Sequence, residues 1–235
     1  MKILASIKSV DEIEAAVRGG ADIIDLKNPE EGSLGAAAPW DIKTLKDQYN
    51  DQIISAAIGD FPNLPNTAAL AALGAAVSGA DYVKIGLLGA ENAADALKVM
   101  KNVTKAVKNY NPDIFVVGAG YADYQKVNSI NPLDLPEILH EAKADIVMID
   151  TAIKDGNTLF SYFDTSVLRK FVESAHSNGL QAALAGSLSI SHIPILKEIR
   201  TDVIGFRTAI CDNGNRVSGV LSPEKVREIM EIVNS

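Results

Sequence analysis

Short apolar runs rich in β-branched residues alternate along this chain with stretches whose apolar positions recur at helical spacing, eight times from one end to the other. Such repetition predicts βα units and a parallel sheet. The predicted strands cover residues 2–7, 22–27, 52–59, 81–87, 114–120, 145–151, 181–186 and 202–210. Ser9 before DEIEAAVRG and Asn66/Thr67 before AALAALGAAVSG predict helix starts, with Gly19 and Gly79 as stops. No Pro/Gly/Ser-rich linker divides the chain. An open doubly wound sheet usually has fewer strands and often a GxGxxG turn after the first, which is missing here. Eight units in 235 residues favour a closed (β/α)8 barrel, the TIM barrel, as a single domain over residues 1–235.

A finer repeat fixes which faces point inward. Each even-numbered strand opens on an aspartate: Asp22, Asp81, Asp145 and Asp202. Strand side chains alternate between faces, so residues one, three and five places after each aspartate share a face. The first set, Ile23, Tyr82, Ile146 and Val203, is mostly apolar. The second is Asp25, Lys84, Met148 and Gly205, and the third is Lys27, Gly86, Asp150 and Arg207. Alternate strands of such a barrel contribute four side chains to each interior layer, so polarity is expected to rise towards the C-terminal mouth, where enzymes of this architecture do their chemistry.

Composition narrows the function classes. A net charge of -8 disfavours a nucleic-acid footprint, so any bound phosphate needs a local cluster of cations. The one cysteine, Cys211, can form no intrachain disulfide and reads as a small packing residue; a reducing compartment is the simplest reading, and no Cys/His cluster has metal-ligand spacing. The N-terminus lacks a signal-peptide core, and the most apolar stretch, residues 68–80, is too short to span a bilayer. A cytoplasmic protein with no membrane or nucleic-acid partner is expected.

The chemistry is carried by lysine and carboxylate. Lys27, Lys84 and Lys154 stand near strand ends, with Asp25 and Asp150 in the same layers. A free lysine is neutral in only about one molecule in a few thousand at pH 7, and lowering its pKa to roughly 7 or 8 raises that fraction by two to three powers of ten. A neighbouring ammonium and desolvation both act in that direction, while a nearby carboxylate opposes them. The competing reading is a rim of solvated lysines paired with acids, which a shared inward register argues against. Gly186, Ser187, Gly205 and Arg207, after the seventh and eighth strands, are candidate phosphate contacts. Gly186 could equally serve a turn or packing, and Arg207 could pair with Asp150. Residues 28–35 are long and polar enough for a loop over the mouth, static or mobile, and Trp40 is expected to be a packing anchor. His140, His176 and His192 fall away from strand ends and offer no triad.

The run Ala21-Asp22-Ile23-Ile24-Asp25-Leu26-Lys27-Asn28-Pro29, continued by Glu31-Gly32-Ser33-Leu34-Gly35-Ala36, resembles the signature of the (5-formylfuran-3-yl)methyl phosphate synthases of methanofuran biosynthesis. Further similar segments are Ser55 to Asp60, Ser78 to Leu87, Ala119 to Asp123, Asp150 to Gly156 and Ala183 to Ser187, so the resemblance runs through essentially the whole chain. It implies a barrel lyase that condenses two molecules of glyceraldehyde 3-phosphate into 4-(hydroxymethyl)-2-furancarboxaldehyde phosphate with loss of phosphate and water. Lys27 then matches the Schiff-base lysine, Lys84 the proton acceptor, and Asp25, Asp150 and Lys154 the surrounding polar residues. No cofactor or metal is implied, and self-association into a homo-oligomer is expected from the fold and the family. The last strand, Gly205-Phe206-Arg207-Thr208-Ala209-Ile210-Cys211, departs from the family pattern at Phe206 and Ile210, which bears on phosphate contact. The alternatives are a class I aldolase acting on another phosphorylated aldehyde and a barrel that only binds phosphorylated metabolites.

Overall fold

The eight predicted strands form in order: β1 (Lys2–Ile7), β2 (Ile23–Leu26), β3 (Ile53–Pro62), β4 (Tyr82–Gly89), β5 (Phe115–Tyr121), β6 (Ile146–Asp150), β7 (Gln181–Leu184) and β8 (Val203–Phe206). In the computed structural model, which describes all 235 residues, they pair in parallel and β8 returns to β1, closing a (β/α)8 barrel. Around it lie α1 (Ile13–Gly19), α2 (Pro39–Gln48), α3 (Pro65–Val77), α4 (Ala93–Tyr110), α5 (Leu135–Glu141), α6 (Thr165–Ser177), α7 (Ile193–Glu198) and α8 (Pro223–Asn234). No helix is long and apolar enough to cross a membrane.

The repeated aspartates have a physical task at the closed end of the barrel. Asp22 donates its amide to the Ile3 carbonyl at 3.1 Å and accepts from the Ile3 amide through its carboxylate at 2.7 Å. Asp81 does the same with Ile54, Asp145 with Val116 and Asp202 with Ala182, all at 2.7 to 3.0 Å. Each staple joins an even strand to the odd strand before it at a defined residue, and a one-residue slip would reverse every side chain on the strand. Lys46, Lys108 and His176 back three of the four carboxylates at 2.7 to 2.8 Å.

With that register held, the alternation behaves as expected. Most of the core lies between sheet and helices, in a cluster of 57 buried apolar residues, whereas the apolar cluster of the lumen has only 13, among them Ile23, Tyr82, Ile146 and Val203. Packing of the helix-facing aliphatics therefore carries the fold, and the upper lumen is left to polar groups.

Several local expectations are corrected. The last strand stops at Phe206, and Thr208–Ile210 form a 3-10 turn. Helix α3 begins at Pro65, so Asn66 and Thr67 sit inside its first turn rather than capping it. Gly20, with φ of 84°, takes the left-handed position after α1, while Gly19 is the last residue of the helix, and its want of a Cβ leaves room for Val226 of α8. Trp40 is 72% exposed and anchors nothing: Pro39 starts α2, and the buried face of that helix belongs to Ile42 and Leu45. Cys211 is buried, as expected.

Candidate active site

The deepest polar layer centres on Asp25. Its carboxylate, fully buried, receives Lys84 Nζ at 2.7 Å on both oxygens, Ser6 Oγ at 3.0 Å and Ser55 Oγ at 2.7 Å. The serines come from β1 and β3, the strands either side of β2. A buried ion pair is stable only when hydrogen bonds satisfy its remaining lone pairs, and here the two serine hydroxyls do so.

One layer higher, Lys27 follows the end of β2 and is 7% exposed, with no hydrogen bond to its ammonium. Desolvation drives its pKa down from 10.5 to about 7; Asp150 and Asp25 pull it up, Lys84 and Lys154 push it further down. Across from it Asp150 ends β6, pairing with Lys154 Nζ at 2.8 Å and the Thr151 amide at 2.7 Å. Burial pushes the Asp150 carboxyl up, but Lys154 and then Lys27 outweigh it and hold the group well below the usual carboxylate range. Lys154 also donates to Thr151 Oγ1 at 2.9 Å, and the chain leading to it is held where Asp123 accepts the amides of Ala152 and Ile153, each at 2.7 Å. The four residues expected to surround Lys27 are therefore gathered around it as two lysine–aspartate pairs.

A cleft opens above, bordered by Lys27, Lys84, Asp150, Lys154, Gly186 and Ser187, with Gly205 in its wall. Gly186 (φ 107°) and Ser187 (φ 51°) lie in the left-handed region, and the amides of residues 186, 187 and 188 donate to no protein acceptor. Consecutive free amides beside a cleft suit an anion. Gly186 also packs closely on Thr151, so the packing reason for glycine holds there as well.

Arg207 is brought to the cleft wall but turned away from Asp150. Its guanidinium meets Glu12 at 2.6 and 3.0 Å and donates to the carbonyls of Ser6, Arg216 and Gly219, leaving no N–H free. The alternation that placed it beside Asp150 ends with the strand at Phe206. The arginine that does reach the cleft unpaired is Arg216, half-buried on the loop after β8, its guanidinium without a hydrogen bond or salt bridge. Its signal in the sequence was slight, an arginine following the turn Asn213-Gly214-Asn215.

Two further residues were not foreseen in the site. Strand β3 bulges after Ala57, where Gly59 takes a φ of 103°, and Asp60 instead of Gly59 comes opposite Gly86. The bulge turns Asp60 into the lumen, where Tyr121 Oη donates to its oxygens at 2.6 and 2.8 Å. Burial raises the Asp60 carboxyl and, more strongly, the Tyr121 phenol. Gly86 leaves the space they occupy, since a Cβ there would collide with both.

Residues 28–35 cross the mouth. Asn28 N donates to the Gly35 carbonyl at 3.0 Å, Ser33 Oγ donates to the Thr151 carbonyl at 2.9 Å, and Leu34 is wholly buried in the lumen. The histidines stay outside: His140 on the Asn178 carbonyl, His176 on Asp202, and His192 stacked on Phe160.

Fold and site together define a (β/α)8 barrel with a buried, unpaired lysine between two lysine–aspartate pairs. A sequence profile of the 4-HFC-P synthase family matches residues 3–230, and the chain belongs to that family. It is 50% identical over 233 residues to the (5-formylfuran-3-yl)methyl phosphate synthase of Methanocaldococcus jannaschii, covering 99% of each chain. It is 51% identical over 237 residues to the protein of that name from Archaeoglobus fulgidus, covering 100% of each. Among solved structures, a 3-hexulose-6-phosphate synthase aligns over 97% of this chain and 99% of its own, with a TM-score of 0.67 at 20% identity, a likeness of fold alone.

Proposed function

We propose that this protein condenses two molecules of glyceraldehyde 3-phosphate into 4-(hydroxymethyl)-2-furancarboxaldehyde phosphate, a step of methanofuran biosynthesis, through an imine on Lys27. The carrying observation is Lys27 itself: buried, without a hydrogen-bond partner, bordering the cleft, and shifted to about 7, so that about half its amines are neutral at pH 7. Family membership and the names of the relatives support the product.

In this reading the Lys27 amine attacks one aldehyde, and loss of water forms an iminium that acidifies the adjacent carbon. Lys84 accepts the released proton once it has passed its own to Asp25, whose oxygens lie 2.7 Å away. The resulting enamine adds to the second aldehyde; elimination of one phosphate, ring closure by a hydroxyl on the iminium carbon with expulsion of the Lys27 amine, and dehydration give the furan. Starting from two triose phosphates the balance is one phosphate and two waters, and aromaticity makes the sequence one-way. Asp150 orients Lys27 and stabilises its iminium, and Lys154 assists the departing phosphate. The free amides around Gly186 and Ser187, beside Gly205, hold the retained phosphate.

Borohydride added during turnover with glyceraldehyde 3-phosphate is expected to leave a reduced adduct on Lys27, located by mass mapping. Adducts mainly on Lys154, or none, would overturn the assignment. Strong ultraviolet absorption by the product separates a furan aldehyde from the sugar phosphate of an aldolase.

A further inference from the structure

The charged side chains bordering the cleft fall into pairs with two remainders, Lys27 and Arg216. Lys84 is matched by Asp25, Lys154 by Asp150 and Arg207 by Glu12, at 2.6 to 2.8 Å. Lys27 can relieve its burial by losing a proton. Arg216 cannot, because a guanidinium stays charged across the accessible pH range. It is nonetheless half-buried with no acceptor in the protein, and burial is the main influence on its ionisation. Unpaired, partly desolvated charge of this kind is costly unless an anion completes it.

Its position is built. Arg207 Nε donates to the Arg216 carbonyl at 3.0 Å, and Arg207 Nη2 to the Gly219 carbonyl at 3.3 Å. Asn215 Oδ1 accepts the amides of Val217 and Ser218 at 2.9 and 3.0 Å, and Lys8 Nζ donates to the Val217 carbonyl. Lys225 Nζ ties the start of the loop through the carbonyls of Cys211 and Asp212. The arginine that the strand pattern placed in the cleft thus serves as a bracket for another arginine nine residues on. Residues 186 to 188, whose amides have no protein acceptor, border the same cleft.

We propose that Arg216 is the phosphate clamp of this site, closing on the phosphate of the aldehyde bound at Lys27 while the amides after β7 take its other oxygens. Arg207, through its ion pair with Glu12, is the positioning residue. A guanidinium meets phosphate with two parallel N–H bonds, so lysine is an incomplete substitute. This deepens the reading of the substrate as a phosphorylated aldehyde and rests on it.

Steady-state kinetics, borohydride trapping and calorimetric titration with inorganic phosphate, applied to the wild type, Arg216→Gln and Arg216→Lys, test it. Losing charge-assisted bonds to one phosphate is expected to raise KM for glyceraldehyde 3-phosphate about 10- to 100-fold, with a smaller change in kcat and partial recovery in Arg216→Lys. Trapping of Lys27 by unphosphorylated glyceraldehyde should be unchanged, and phosphate affinity should fall at least about tenfold. A KM and a phosphate affinity within about twofold of wild type would overturn the clamp. Equal losses with the phosphorylated and unphosphorylated aldehydes would overturn it too, by placing the effect on Lys27. If the wild type traps neither aldehyde, the Schiff-base reading fails, and the phosphate titration still decides the role of Arg216.

Discussion

Replacing Lys27 with methionine is expected to stabilise the protein while removing the nucleophile. Folding carries this lysine from 10.5 to about 7, so between those values the unfolded chain binds more protons than the folded one. Stability therefore rises with pH across that window, and below it the full cost of burying the ammonium is present. At about 1.4 kcal/mol per pKa unit, linkage puts that cost at about 4 kcal/mol at pH 7 and about 2 kcal/mol at pH 9. Methionine fills a similar volume with no charge to desolvate. Some of the gain is offset because Asp150 loses one of its neighbouring cations, although Lys154 stays at 2.8 Å. A net gain of about 2 to 4 kcal/mol at pH 7 raises Tm by about 4 to 8 °C in a chain of this length, whose unfolding entropy is about 0.5 kcal/mol per kelvin. Circular-dichroism melts of both proteins at pH 7 and pH 9 provide the assay, with the gain shrinking by about 2 kcal/mol at the higher pH. A variant that melts below the wild type at pH 7, or one whose advantage is the same at both pH values, would refute the reasoning. The expected combination of a firmer fold and no trapped imine is the trade between stability and activity common at functional sites.

The same ionisation sets the acid limb of activity: log kcat/KM should rise with unit slope up to a bend near pH 7, about a hundredfold below its plateau at pH 5, and a bend above pH 9 in a stopped-flow profile would contradict it. Lys84→Met strands the Asp25 carboxylate in a fully buried site with only Ser6 and Ser55, and should cost about 3 to 5 kcal/mol in urea unfolding. Adding Asp25→Asn to that variant should recover part of the loss, and no recovery would show that the charge was not its cause. Gly86→Ala drives a methyl into Asp60 and Tyr121 and should cost about 1 to 3 kcal/mol, so an unchanged Tm would mean that the pair sits elsewhere.

Pattern alone was enough for the architecture because the relevant physics is local. Alternation along each strand is a covalent property, and the four aspartates set its phase by pairing with the strand just before them in sequence. From that phase came the inward layers, and with them Lys27, Lys84 and Asp150 around one cleft, with Asp25 buried beneath on Lys84. The prediction lapsed wherever a strand lost its regularity. Asp60, which a strict period of two would have pointed outward, faces the lumen because β3 gains a residue at Gly59. Arg207 lies beyond the last residue of β8, where no alternation governs it.

Partner choice was the other thing only the tertiary structure decided. Lysine and arginine reach several ångströms from their backbone, so their position in sequence does not say which carboxylate they will meet. Arg207 meets Glu12 at the far end of the chain, Lys84 meets Asp25, and Arg216 meets nothing. The depression of Lys27 likewise belongs to the closed barrel, since desolvation needs walls on every side, and those walls come from strands up to the whole chain apart. The sequence by itself determined which residues could stand in the site; closure of the barrel decided which of them are paired, which are stripped of water, and so which are left free to react or to bind.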